Sequence, residues 1–578
     1  MKKKLVSLAL ATILCVSLIV PSFAAKTYTP VWLGKGVTLE DSPYFSAPLT
    51  AVRKDGKWGY TNRLGQITIA PQYEYALPFS EGLAAVGKGG KSGFINTAGK
   101  VVIPLQYEDA ASFSEGLAAV CKDGKYGFID KTGKLVIPNQ YEYVYAFNGG
   151  LAVVSANKKW GFIDKTGKAI ATPQYDGCYN FTAEGLALVH KDGKWGYIDK
   201  SGKEAIALQY ERAVPFADGL AAVRKGGKWG FIDKTGKVVV SISYDTVGAF
   251  YEGLARVCKG NKWGYIDKTG KEAVSPQYDA CSSFSEGLAA VKKGGKWGYI
   301  DKTGKTVVSP KYTYAGGFSE GLAVVANAGK YGYIDKTGKV AAAAAYEQAS
   351  DFSSGLAAVK KGGKWGFIDK TGKVVVPLEY DLALEFTQDT AIVQKGGQYA
   401  LLNITVGGFT DVLFSSDYAQ AIDWAVEKKI TKGTSTKPPR FSPDEKCTTA
   451  QILTFLWRAK GEPEPASTAN PFTGIKESDY FYKAVRWAGE KGLVSAQGFD
   501  PEELCTRATA VTYLWKLAGS PTAQDSGFDD VPAAADYAQA VAWAVEKKVT
   551  KGTGGNKFSP NNTCTRGQIM TFLYRDLV

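Results

Sequence analysis

Chemistry in this chain has to come from few residue types. His190 is the single histidine in 578 residues, and no grouping of His, Cys and Asp has metal-ligand spacing. Seven aspartates, Asp130, Asp164, Asp233, Asp267, Asp301, Asp335 and Asp369, open an Asp-Lys-Thr-Gly string that also begins a phosphoaspartate motif. No nucleotide domain or membrane helix accompanies them, so they read as turns: Asp favours the first turn position and Gly the left-handed last one. Gly90-Lys-Ser92 ends like a phosphate loop, but Ala85 stands where that loop needs its first glycine. No Gly-x-Ser-x-Gly elbow occurs. A carboxylate pair for glycoside cleavage needs only spatial placement, so it leaves no mark in sequence. The repeated aspartates sit in turns and none stands apart from its copies. His190 reads as a surface substitution at the position that Arg224 and Lys292 hold in other copies.

Those copies are the dominant feature. A run of about 34 residues recurs from near residue 45 to near residue 402. Trp58, Trp160, Trp195, Trp229, Trp263, Trp297 and Trp365 mark one register, with Tyr126, Tyr331, Tyr399 and Ser92 in the same place. A tyrosine series from Tyr73 to Tyr380 and a phenylalanine series from Phe79 to Phe386 keep the same step. One supersecondary unit is therefore copied about eleven times. A feature present in every copy is a surface property, not a single active site.

In the unit around Trp297, Gly287–Val291 and Lys296–Asp301 read as strands joined by the Lys293-Gly-Gly-Lys296 hairpin. Thr306–Ser309 reads as a third strand, stopped by Pro310, and Tyr312–Phe318 as a link to the next unit. Gly298 leaves room for another backbone or ring to approach. The expectation is an all-β array of three-stranded units, an open superhelix or a toroid like a propeller. The tryptophan ladder reads as packing between units, with a sugar-stacking platform as the alternative. The Lys-Trp-Gly-[Tyr/Phe]-Ile-Asp-Lys-Thr-Gly-Lys string resembles the WG repeat family of bacterial proteins over about 360 residues. That likeness names no ligand.

The two ends differ from the array. Met1-Lys-Lys-Lys4, an apolar run from Leu5 to Val20 and Ser22-Phe-Ala24 read as a cleavable secretion signal, residues 1–24. Residues 25–44 form a lead segment, and no later apolar run is long enough to span a bilayer. From Phe409 the 34-residue period stops, and helical patterns recur in three units at 409–461, 472–519 and 528–578. Their shared landmarks are Phe409-Thr-Asp-Val412 and Phe528-Asp-Asp-Val531, Phe441-Ser-Pro443 and Phe558-Ser-Pro560, and Cys447, Cys505 and Cys564 before the second helices.

These three units resemble S-layer homology domains. The resemblance implies an all-α pseudo-trimeric body whose grooves bind secondary cell-wall polysaccharide, often pyruvylated. It assigns the main contact to Arg507 and Arg566, with Gly433-Thr434 and Gly552-Thr553 beside the grooves. A guanidinium suits a carboxylate, which it can pair bidentately. Thr449 holds the arginine position in the first unit, and the middle unit has no Gly-Thr pair, so unequal grooves are expected. Localisation at the wall or S-layer of a Gram-positive-type bacterium is implied as well.

The formal net charge is +14. Basic and acidic residues balance from Phe409 to the end and three lysines fall in Met1–Lys4, so +11 lies on the repeats. A periodic basic face attracts anionic polymers or a protein ligand; no nucleic-acid-reading motif is present. The lysines beside each Gly-Gly turn read mainly as a solvated face. Cys121 and Cys258 are equivalent positions, as are Cys178 and Cys281, which in a linear array keeps them too far apart to bridge. All seven cysteines beyond the leader read as free, small buried residues. The overall expectation is a surface protein without enzymatic activity or cofactor, anchored by its C-terminal units and presenting the repeats as a scaffold. The alternatives are a wall-bound carbohydrate-active enzyme and a purely structural surface-layer component.

Overall fold

The computed structural model describes residues 26–39, 49–436 and 439–578, so the expected leader and Cys15 lie outside the described residues. The chain forms two compact units, one over Tyr28–Asn403 and one containing Ile404–Val578.

In the first unit the period becomes eleven four-stranded sheets, not three-stranded ones. The sheet around Trp297 holds Ala280–Cys281, Leu288–Lys293, Lys296–Asp301 and Thr306–Tyr312. The added strand comes from the segment expected only as a link: Ala280 pairs with Lys292 and Cys281 with Val291. Two residues are too few to show an alternation in sequence. The strand after Asp301 also continues through Pro310. A register shift between the Trp297–Tyr312 and Tyr299–Val308 pairs lifts this stretch out of the ladder, where proline costs no hydrogen bond. Gly298 faces the bulge, and a Cβ there would lie 2.3 Å from the Val308 carbonyl oxygen and 2.6 Å from Pro310 N.

The array closes on itself. Its last sheet takes three strands from Leu382–Thr405 and its fourth, Thr27–Trp32, from the start of the described chain. Leu33 N donates to the Tyr399 carbonyl at 2.9 Å, and Leu33, Val37 and Val52 share a buried cluster with Ile392 and Leu401. The result is an eleven-bladed β-propeller, which replaces the open-superhelix reading. Closure leaves no terminal repeat with an uncovered face and no open end to the array. We number the blades from Val37–Tyr73 as blade 1 to the closing sheet as blade 11.

Packing between blades is carried by a different aromatic ladder from the one expected. In ten blades the Tyr or Phe two residues after the Trp-position residue meets the Phe-series ring of the next blade, and in blade 11 Leu401 takes its place. Tyr60–Phe79, Phe128–Phe147 and Tyr265–Phe284 have ring centroids 4.8 Å apart, and Tyr299–Phe318 5.0 Å. Tyr60, Tyr197, Tyr265 and Tyr299 are completely buried. Each spends its hydroxyl on a carbonyl of the following blade, as Tyr299 does on Gly316 at 2.9 Å. The tryptophans flank these clusters and are only partly buried.

Polar contacts repeat with the same step. Ser285 Oγ donates to the Phe318 carbonyl at 2.7 Å, and Gly321 N donates to Glu286 at 2.9 Å. Glu286 also pairs with Lys336, the lysine of a later Asp-Lys-Thr-Gly turn, at 3.0 Å. Lys262 beside Trp263 pairs with Asp279 at 2.6 Å. Many lysines of the expected basic face thus have a carboxylate of the array itself as partner. The turn aspartates are engaged too: Asp301 accepts from Thr303 N at 2.9 Å, Thr303 Oγ1 at 2.7 Å and Lys305 N at 3.0 Å.

Among its described residues the second unit holds six helices: α1 (Ala419–Glu427), α2 (Thr449–Ala459), α3 (Tyr482–Glu490), α4 (Arg507–Leu517), α5 (Ala538–Glu546) and α6 (Arg566–Leu577). Packing runs between consecutive sequence units: α2 lies on α3, α4 on α5, and α6 returns to α1. Three backbone hydrogen bonds, each 2.9 Å, close a cycle at the centre: Cys447 N to Cys564 O, Cys505 N to Cys447 O, and Cys564 N to Cys505 O. These three equivalent cysteines thus meet around a pseudo-threefold axis. The described cysteines are free thiols. A short strand pair, Ser435–Thr436 with Pro439–Arg440, makes the region mainly, not wholly, helical. Among the described residues no helix is long and apolar enough to cross a membrane.

Candidate functional site

The cyclic packing decides which residues share a groove. Thr448, Thr506 and Thr565 cap α2, α4 and α6, each accepting from the backbone N–H three residues on. The next residue, Thr449, Arg507 or Arg566, is then held in the first turn, pointing at the neighbouring unit. Arg507 N donates to the Asn562 carbonyl and Ala508 N to Pro560; Arg566 N donates to Glu445 and Gly567 N to Pro443; Thr449 N donates to Glu503 and Ala450 N to Pro501. Each even helix therefore starts on the Phe-x-Pro loop of the following unit, and the third returns to the first.

The side chains follow. Arg507 Nε donates to the Phe558 carbonyl at 2.8 Å and Nη2 to Thr550 Oγ1 at 3.1 Å. Arg566 Nε donates to the Phe441 carbonyl at 2.9 Å. Their guanidinium carbons lie 4.8 Å and 4.7 Å from the centres of the Phe558 and Phe441 rings. Arg507 is 6% exposed and Arg566 4%. Burial presses both guanidinium pKa values down, yet such a group stays charged at neutral pH. Neither has an ion-pair partner among the described residues. A buried guanidinium with N–H groups left over can donate hydrogen bonds to an anion.

The Gly-Thr pairs stand opposite these arginines. Gly433 has φ +81°, and a Cβ there would lie 2.4 Å from the Arg440 carbonyl oxygen; Gly552 repeats this against Lys557 at 2.7 Å. Thr434 and Thr553 hydroxyls meet Ser442 and Ser559 at 2.8 Å and 2.7 Å. The loops are clamped by the Phe-x-Asp-Val aspartates: Asp411 accepts from Phe441 N and Ser442 N, and Asp530 from Phe558 N and Ser559 N, all at 2.8 Å. In the middle unit Gly474 takes the aspartate position, so this clamp is missing there.

One groove gathers Gly433, Thr434 and Lys432 of the first unit, Gln451 and Arg458 of α2, Tyr480 of the second unit and Arg566 of the third, around about 370 Å³. Arg566 thus shares a groove with the Gly-Thr pair of the first unit, and Arg507 bonds to Thr550, two residues before the Gly-Thr pair of the third. Thr449 faces the middle unit's loop, where its hydroxyl donates to the Glu503 carbonyl at 3.1 Å. The sequence singled out both arginines and both Gly-Thr pairs but grouped them within units; the structure sets Arg566 beside Gly433-Thr434, with Arg458, Gln451 and Tyr480, which the sequence did not single out. No spacing signal carries the exchange, because it arises from closure of three units into a ring.

A family model described as WG containing repeat matches at ten places from 58–91 to 365–399, more than half of the chain. A model for the S-layer homology domain matches 527–570. No curated protein matches. Solved structures with partial likeness include a crystal structure of the eukaryotic initiation factor at 11% identity, covering 50% of this chain and 94% of that one, TM-score 0.30. Another is Hsv2p of Kluyveromyces lactis at 9% identity, covering 38% and 88%, TM-score 0.23. PorZ, a bacterial surface component of the type-IX secretion system of Porphyromonas gingivalis, gives 12% identity, 63% of each chain and TM-score 0.21. These likenesses are too distant to bear on function.

Proposed function

The chain belongs to the WG repeat family, and from that premise and its S-layer homology domain we propose that it is a wall-anchored scaffold of the cell surface. Surface association follows from the S-layer homology match. The finer reading is that all three helical units are S-layer homology domains acting as one anchor for a secondary cell-wall polysaccharide. The observation that carries it is the shared groove in which buried, unpaired Arg566 faces Gly433-Thr434 from the other end of the region. Arg507, which donates to the Phe558 carbonyl and to Thr550 Oγ1, repeats this chemistry beside Gly552-Thr553, and Thr449 puts no cation at the equivalent place. Anionic substituents on the polymer, such as pyruvyl ketals, would complete the charge that each arginine leaves unmatched.

The propeller in this reading is a rigid presenting body and not a catalyst. Its turn aspartates spend their carboxylates on local backbone and hydroxyl groups. The test is co-sedimentation of the protein without its leader with purified sacculi, before and after acid removal of secondary polymer. Binding should be lost with the polymer; equal binding to both preparations would refute the anchor.

A further inference from the structure

Blades 4 and 5 break the uniformity of the propeller. At one register position, just past the first strand, most blades carry a small or aliphatic residue: Ala111, Val214, Gly248, Ser282, Gly316 and Ser350. Blades 4 and 5 carry Tyr145 and Tyr179 there. The two are 55% and 52% exposed. Tyr145 stands 5.7 Å from Trp160 and inclined 31° to it; Tyr179 stands 6.1 Å from Trp195 at 41°. His190 lies 4.5 Å behind Trp195, stacked on it and fixing the indole from the side.

Between the two Tyr–Trp pairs lies a cleft of about 430 Å³, within the size range of ligand sites, roughly 300–1,000 Å³. Gly177 takes the place that Tyr143 holds one blade earlier, and a Cβ there would meet only His190 Cβ at 3.9 Å, so the cleft stays open. The lining is Tyr145, Val153, Trp160, Cys178, Tyr179, Asn180 and Trp195 with Gly177, and it contains no charged side chain. Among the described residues the hydroxyls of Tyr145 and Tyr179 and the indole N–H groups of Trp160 and Trp195 have no hydrogen-bond partner.

We propose that this cleft is a carbohydrate site for a neutral pyranose chain. Flat aromatic faces pack against the C–H face of a sugar ring, and unpartnered hydroxyl, amide and indole N–H groups at their rims meet its hydroxyls. The absence of charge argues against the anionic polymer suggested by the net charge of the array. Two aromatic pairs on successive blades offer platforms for more than one sugar, so an oligosaccharide is the ligand. The proposal rests on the propeller being a binding scaffold and is independent of the anchor, whose assay reads the helical unit.

The experiment uses the whole protein without its leader. Tryptophan emission and calorimetry are followed during titration with hexamers of β-1,4-linked glucose and of β-1,4-linked N-acetylglucosamine. Polyphosphate and a proline-rich peptide serve as competing classes. At least one neutral hexamer should bind saturably, and Tyr145→Ala with Tyr179→Ala should weaken it about tenfold or more without changing the melting midpoint. Tyr314→Ala, which removes an exposed tyrosine from blade 9, should leave binding unchanged. The proposal is overturned if neither hexamer binds, if binding survives the double substitution, or if only polyphosphate or the peptide binds.

Discussion

Arg566 donates through Nε to the carbonyl oxygen of Phe441 at 2.9 Å, across 125 positions of sequence. That bond places the first arginine of the last helix in the groove of the first helical unit. The groove is therefore a property of several sequence units, not of one.

This exchange makes a coupling test. Arg566→Ala and Arg507→Ala should each weaken binding to sacculi by about 1.5–3 kcal/mol, the scale of a hydrogen bond to a charged group. Thr449→Ala should leave binding nearly unchanged. In double-mutant cycles Thr434→Ala should couple with Arg566→Ala and add simply to Arg507→Ala. The reverse pattern would mean that the grooves are built within units.

Closure of the propeller depends on Thr27–Trp32. Deleting this strand opens the last blade and exposes the edge of Gln398–Thr405. The melting midpoint of the repeat unit should fall by roughly 5 °C or more, the response to a loss of one to two kcal/mol in a large domain. Light scattering should show association of the truncated chain. An unchanged midpoint with no association would mean that the ends do not hold the ring.

The aromatic ladder ranks core substitutions. Tyr299 is fully buried against Phe318, whereas Trp297 is only partly buried. In urea unfolding, Tyr299→Ala should cost about 3–5 kcal/mol and Trp297→Ala clearly less. A larger cost at Trp297 would restore the tryptophans as the main seam between blades.

Alkali should destabilise the protein through its buried thiols. Burial pushes Cys178 and Cys447 up to about 12, and Cys281 and Cys564 up to about 11. The folded chain keeps these protons at a pH where the unfolded chain has released them. Stability is then intact below the ordinary thiol range near 9 and falls as pH rises toward 11–12. Urea midpoints should be level between about pH 7 and 8 and decline above about pH 9. Thiol titration in denaturant should count all seven described cysteines as free, with slow reaction in the native state. A flat pH profile would show that these thiols are not buried in the folded protein.

The repeat and its copy number were legible because three aromatic series share one step, and a copied unit buries its apolar face only against its neighbours. The central hairpin was legible from the two strands around Gly294-Gly295, and the room needed at Gly298 from the absence of a side chain. The short strand at Ala280–Cys281 was not, since two residues carry no periodicity. Pro310 misled because a bulge removes the hydrogen bond that proline lacks. Trp297 misled because alternation gives the face of a strand but not how far along it the neighbouring blade reaches.

By itself, then, the sequence determined what is local and repeated: the unit, its turns and the helical units that follow. Tertiary structure decided what depends on closure. The meeting of Thr27–Trp32 with Gln398–Thr405 makes a ring, the cycle through Cys447, Cys505 and Cys564 makes a threefold body, and Arg566 thereby reaches Gly433-Thr434. Local spacing cannot encode these contacts. They join residues far apart in the chain, and each forms only when a whole set of units has packed and its ends have come within bonding distance.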